Sequence, residues 1–158
     1  MATMTSTRHD RPRILFVDDD ASVLTALARR LQPDRDRWNM VFVLGGQSAL
    51  EEIARCAFDV VVSDYRMPEV DGFAVLAAAR AACPSSATIL LTGDANKVAT
   101  SPAASALHRL LAKPCRTAEL RAAIESSRAI AANQSAIARI HSAARVAALD
   151  NHSTLEQT

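Results

Sequence analysis

The chain has 158 residues, 49% of them hydrophobic but only 4% aromatic, and a formal net charge of +1. This length suits one domain plus an appendage, and the composition allows a real core built mainly from Ala, Leu, Val and Ile. The near-neutral charge gives no global pull towards nucleic acid or an anionic membrane, and the longest apolar runs are far too short to span a bilayer.

Residues 1–11 are polar, lack the apolar core of a signal peptide, and read as a disordered leader. Ile14 to Val17 is a short apolar strand, closed by Asp18 and Asp19. Ser22 to Leu31 has helical spacing through Val23, Leu24, Leu27 and Leu31, with Asp20 placed to cap it and Pro33 to break it. Met40 to Leu44 is a second strand, ended by Gly45-Gly46, and Ser48 to Cys56 is helical through Leu50 and Ile53. Val60 to Ser63 is continuously apolar up to Asp64, as a strand covered on both faces would be.

Asp71-Gly72 opens a helix that runs towards Ala82 and is closed by Pro84. Thr88 to Leu91 is the fourth strand, with Thr92 at its end. The helix expected over Asn96 to Ala106 contains Pro102, so it should be short or start late. Leu107 to Leu111 is the fifth strand, followed by Lys113-Pro114. Thr117 is expected to cap a final helix with Glu119 and Leu120 in its first turn.

That last helix is unusual, because neither Pro nor Gly occurs from Thr117 to Leu149. Ile130 and Ile137 stand one heptad apart, and Ala144 follows at the same interval. One reading is a dimerising or signal-carrying coiled coil. The other is an Ala-rich helix, well formed by propensity but with a weak seam. The expected organisation is therefore a leader over 1–11, a globular domain over 12–130, a helical extension over 131–150 and a disordered tail over 151–158.

Strands alternating with helices imply a parallel sheet with helices on both faces. In such a sheet the strand ends share one edge, which is where ligands bind. Asp18, Asp19, Asp64, Thr92 and Lys113 all stand at strand ends and can meet there. Three carboxylates held close repel unless a cation neutralises them, and a hard divalent ion that retains waters, Mg²⁺, is the economical partner. A carboxylate in that setting can attack phosphorus and form an acyl phosphate. Phosphoryl transfer needs mainly positioning and charge neutralisation, which the Lys113 ammonium and the Thr92 hydroxyl can supply.

Basic residues are distributed unevenly, with 16 Arg against two Lys, Lys97 and Lys113. A lone Lys at a strand end marks a place that calls for a compact ammonium. Cys56, Cys83 and Cys115 are scattered and lack C-x-x-C spacing, so they read as reduced cytosolic thiols.

Val17-Asp18-Asp19-Asp20, Ser63-Asp64-Tyr65-Arg66-Met67-Pro68-Glu69-Val70-Asp71-Gly72, Leu91-Thr92-Gly93 and Lys113-Pro114 together resemble the receiver domain of two-component response regulators. The resemblance spans Arg13 to Ser127. It implies a flavodoxin-like five-stranded sheet of order 2-1-3-4-5. It also implies that Asp64 is the phosphoacceptor and that Mg²⁺ is held by Asp19, Asp64 and the backbone carbonyl of Arg66, with Asp18 bound through water. Thr92 and Lys113 would contact the phosphoryl group, and the peptide before Pro114 would be cis.

Two departures from the family stand out. The fifth-strand position that often carries a switching aromatic is Leu110, and Pro102 falls in the family's output face. Arg66 and Asp94 occupy variable positions flanking the site. They are expected either to pair across the pocket mouth and slow water attack, or to be independent solvated charges.

The implied function is a phosphorylation switch rather than a conventional enzyme, with only self-directed transfer and hydrolysis. Its partners would be a histidine kinase or histidine phosphotransfer protein and a downstream protein target, with no direct nucleic acid or membrane contact. A homodimer through the final helix and a cytoplasmic location complete the expectation. Alternatives are a binding module that needs no phosphate, the front of a longer regulator, and a metal-dependent hydrolase. The hydrolase is disfavoured because the acceptor, Asp64, lies on a later strand rather than after the first.

Overall fold

The computed structural model describes residues 11–155. Five strands, β1 (Arg13–Asp18), β2 (Asn39–Leu44), β3 (Val60–Asp64), β4 (Ala87–Thr92) and β5 (Arg109–Ala112), form one parallel sheet in the order β2-β1-β3-β4-β5. The helices are α1 (Ala21–Leu31), α2 (Gly46–Arg55), α3 (Gly72–Ala82), α4 (Ala95–Ala99) and α5 (Thr117–Leu155). This is the flavodoxin-like order expected from the sequence.

Strand alternation sorts the core into two layers. From β1, Ile14 and Phe16 pack with Leu31 of α1 and with Leu120, Ala123 and Ile124 of α5. Leu15 and Val17 face the other way, against Ala49 and Ile53 of α2 and Val75 and Leu76 of α3. Every residue of β3 is buried, as its unbroken apolar run requires. Helix α5 is fixed to the domain by polar contacts as well. Arg121 Nε lies 2.7 Å from Asp34 Oδ2, and the buried Trp38 donates from Nε1 to Glu125 Oε1 at 3.0 Å.

Several boundaries differ from those expected. Helix α4 is short but does not start late: it begins at Ala95, because the Asp94 side chain caps it. Pro102 opens a separate 3-10 turn, Pro102–Ala106, where its missing N–H costs nothing. Strand β5 starts at Arg109 rather than Leu107, since His108 is engaged by Thr88 through its ring and backbone N–H. Helix α2 starts two residues early, at Gly46. Thr117 is the first helical residue of α5 rather than its cap, and the Arg116 carbonyl accepts the first helical bond from Leu120 N–H.

Helix α5 continues to Leu155, five residues beyond the expected end of the extension at 150. Most of the leader (1–10) and the last residues of the tail (156–158) lie outside the described residues. Along α5, Leu120, Ala123, Ile124, Ser127 and Ala131 are buried, whereas Ile130, Ile137, Ile140, Val146 and Leu149 are exposed. The helix therefore begins to leave the domain after Ala131, with Gln134 still bonded to His108. Among the described residues, no helix is long and apolar enough to cross a membrane.

Candidate functional site

β1 and β3 are parallel neighbours with Val17 opposite Ser63, so Asp18 and Asp64 end them side by side. Asp18 and Asp64 are buried, while Asp19 is exposed on the loop just beyond. One carboxylate oxygen from each of Asp18, Asp19 and Asp64 lies within 4.8 Å of the others. β4 and β5 bring the remaining groups, since Thr92 pairs with Ala112 and Lys113 follows directly. Lys113 Nζ lies 2.8 Å from Asp64 Oδ1 and 3.3 Å from Asp18 Oδ2. The Lys113–Pro114 peptide is cis.

Three carboxylates against one ammonium leave the pocket doubly negative. Hard oxygen donors with that residual charge fit a divalent cation such as Mg²⁺. Burial pushes the Asp64 carboxyl above its ordinary value; Lys113 pulls it back only in part, and Asp18 and Asp19 add to the rise. Burial acts to lower the Lys113 ammonium, but its hydrogen bond to Asp64 and the charges of Asp64 and Asp18 outweigh this and raise it. Asp64 is thus a buried strand-end carboxylate in an environment that penalises its bare charge.

Thr92 is buried, and its Oγ1 accepts the Asp94 N–H at 3.1 Å, which leaves the hydroxyl proton free to donate. Asp20 stays out of the pocket and caps α1, as expected, by accepting from Ser22 N–H at 2.8 Å. Arg66 is exposed two residues beyond Asp64 and lines a shallow cavity of about 400 Å³ with Tyr65, Met67, Pro68 and Asp71. The expected Arg66–Asp94 pair is not formed among the described residues. The Asp94 carboxylate is used instead to cap α4, accepting from Lys97 N–H at 3.3 Å. Leu110 is half-buried and packs against the core layer of α2 and α3.

Two glycines shape the site without having been assigned a role from sequence. A Cβ on Gly72 would collide with the Asp64 carbonyl oxygen, and one on Gly46 with the Val70 carbonyl oxygen. The loop carrying Tyr65 to Asp71 is thus pressed from both ends by bare backbone. Ser63 adds a buried hydrogen bond from Oγ to the Asp64 carbonyl at 2.9 Å. The signals were present as the dipeptides Gly45-Gly46 and Asp71-Gly72, but dipeptides do not say what approaches them.

Comparison with known proteins agrees with this geometry. The transcriptional regulatory protein ZraR of Escherichia coli (strain K12) is 37% identical over 86 residues, which are 53% of this chain and 19% of the relative. The chain therefore spans about a fifth of that relative's length. The solved structure of an adenylate cyclase from Rhodopirellula baltica matches with a TM-score of 0.72 and 30% identity, over 84% of this chain and 98% of that one. The signal receiver domain of an HD domain-containing protein from Pseudomonas fluorescens Pf-5 matches with a TM-score of 0.68 and 30% identity, over 85% and 96%. Residues 14–125 match the family model of the response regulator receiver domain, and the chain belongs to that family.

Proposed function

We propose that this receiver accepts a phosphoryl group on Asp64 from a phosphohistidine donor, a histidine kinase or a histidine phosphotransfer protein. A carboxylate oxygen of Asp64 attacks phosphorus, the phosphorus–nitrogen bond breaks, and the imidazole leaves with that electron pair. Lys113 moves from its contacts with Asp64 and Asp18 to an oxygen of the transferred group, and the Thr92 hydroxyl donates to another. Asp19 and Asp64, with Asp18 through water and the backbone carbonyl of Arg66, would hold Mg²⁺. The ion would offset charge on the phosphoryl oxygens. The observation that carries this reading is the position of Lys113 Nζ, 2.8 Å from the Asp64 carboxylate, which clusters with those of Asp18 and Asp19.

On this reading the chain is a switch in the cytoplasm and not a conventional enzyme. Phosphorylation biases the surface formed by the Pro102–Ala106 turn, β5 and α5, which binds a downstream protein. The exposed Ile130 and Ile137, one heptad apart, support self-association through α5. Incubation with acetyl phosphate and Mg²⁺ should label the wild type but not Asp64→Asn. Failure of both acetyl phosphate and phosphohistidine donors to label the wild type, with target binding intact, would instead make it a phosphate-independent binding module. The packed Leu110 in place of an aromatic is the observation that favours this second reading.

A further inference from the structure

A cavity lies at the other end of the sheet, where the strands begin. It measures about 510 Å³, and its lining includes Arg11 and Arg13 from the start of the domain and Arg128 and Arg139 from α5. Asp59 is the one carboxylate of the lining, so the cleft carries a net charge of +3. Arg13 and Asp18 open and close the same strand, which puts this cleft about 16 Å from the acidic pocket.

Among the described residues the arginines are poorly neutralised. Asp59 Oδ2 is occupied by the backbone N–H of Arg13, at 2.7 Å. The Arg13 side chain stacks over Phe58, with 5.3 Å from Cζ to the ring centroid. Its Nη2 reaches only the thiol of Cys56, a weak acceptor, and its buried Nε has no partner. Arg11 Nη1 is bonded to the Arg35 carbonyl, and among the described residues no carboxylate pairs with it. Arg128 has Glu125 at 4.0 Å, the limit of an ion pair.

We propose that this cleft binds a small polyphosphate ligand, its phosphates held by Arg11, Arg13, Arg128 and Arg139. Guanidinium forks match phosphate oxygens two at a time. The volume suits a nucleotide-sized molecule. Arg128 and Arg139 stand eleven residues apart on one stripe of α5, about 16 Å along its axis, so a single phosphate cannot reach both. Arg11 and Arg13 belong to the body of the domain, whereas Arg139 lies beyond Ala131, where α5 leaves it. A bound ligand would therefore tie the extension of α5 to the domain.

The test is calorimetric titration of the full chain with ATP, GTP and inorganic tripolyphosphate. EDTA is present throughout, so that the acidic pocket cannot recruit a metal complex. Saturable binding is expected, weakened about ten-fold or more by Arg128→Gln and by Arg139→Gln and unchanged in Arg145→Gln, a position outside the cleft. Tighter binding of ATP or GTP than of tripolyphosphate identifies a nucleotide as the source; equal binding identifies the phosphate chain. Cys83 lines the same cleft, so bound ligand should slow its alkylation while leaving Cys115 unaffected. No binding by any of the three probes, or binding indifferent to Arg128 and Arg139 in variants with normal circular dichroism, overturns the proposal. Acetyl-phosphate labelling of Asp64 is read separately and survives either result.

Discussion

Lys113 Nζ bridges Asp64 Oδ1 at 2.8 Å and Asp18 Oδ2 at 3.3 Å, joining the ends of β1 and β3 from just beyond the end of β5. One ammonium therefore holds the Asp64 carboxylate and competes with any cation for it. Lys113→Met removes that competition and makes the pocket triply negative. Mg²⁺ should bind at least about ten-fold more tightly to this variant in calorimetry, since two unit charges a few ångströms apart interact strongly near a protein surface. Labelling by acetyl phosphate at saturating Mg²⁺ should nevertheless slow about ten-fold or more, because the developing phosphoryl charge loses its donor. Tighter binding with unimpaired labelling would confine Lys113 to a structural role.

The same pair sets a dependence of stability on pH. Asp64 titrates above 3.8 in the folded state, chiefly because it is buried. Between 3.8 and that raised value the folded state holds more protons than the unfolded, so in EDTA stability should fall as pH rises through the window. Lys113 is raised above 10.5, so its contribution is complete below 10.5 and lost as pH climbs past the raised value. Thermal melts in EDTA should show the acid-side decline in the wild type and a flatter profile in Asp64→Asn. Mg²⁺ should raise the wild-type melting temperature most above the raised Asp64 value, where that carboxylate is ionised and binding favours the folded state.

Gly72 and Gly93 make a controlled comparison. A Cβ at Gly72 would meet the Asp64 carbonyl oxygen, Leu90 Cδ1 at 2.6 Å and Tyr65 Cα at 3.0 Å, and two of those three atoms are backbone. At Gly93 nothing lies within 4 Å of the corresponding position. Gly72→Ala should cost about 1–3 kcal/mol in chemical denaturation, the range for overpacking a tight site, and should slow phosphoryl labelling by displacing Asp64. Gly93→Ala should stay within about 0.5 kcal/mol of the wild type.

Strand-end chemistry was the legible part of this sequence. Short strands built on apolar runs of three or four residues end at Asp18, Asp64 and Thr92, and the parallel order brings those ends to one edge. What escaped depended on contacts between distant segments. Asp94 looked like a charge at the pocket mouth, but its position three residues before Lys97 made it a helix cap, and the local bond won over a pair with Arg66. Pro102 signalled a break correctly, yet not that the chain would resume as a 3-10 turn. The arginine-lined cleft was present only as an excess of Arg, because Arg13 and Arg139 are far apart in sequence and meet only when α5 crosses the start of the sheet.

One contact connects the β4–β5 connection to the part of α5 that leaves the domain. His108 Nδ1 accepts the Thr88 backbone N–H at 3.0 Å, so that nitrogen carries the lone pair and Nε2 carries the proton. Nε2–H then donates to Gln134 Oε1, also at 3.0 Å. His108 stands two residues before Leu110, and the Pro102–Ala106 turn before it is held to α3 by Arg80 Nη1 on the Ala106 carbonyl at 3.1 Å. A shift of Thr92 towards a phosphoryl group would pull on β4, on Thr88 and thereby on the imidazole. Gln134→Leu removes the acceptor at an exposed position and should speed amide exchange over 132–140 about five-fold, the equivalent of one hydrogen bond near 1 kcal/mol. Beryllofluoride with Mg²⁺ should alter exchange over the same residues in the wild type and much less in Gln134→Leu. An equal response in both would show that the signal leaves the receiver by another route.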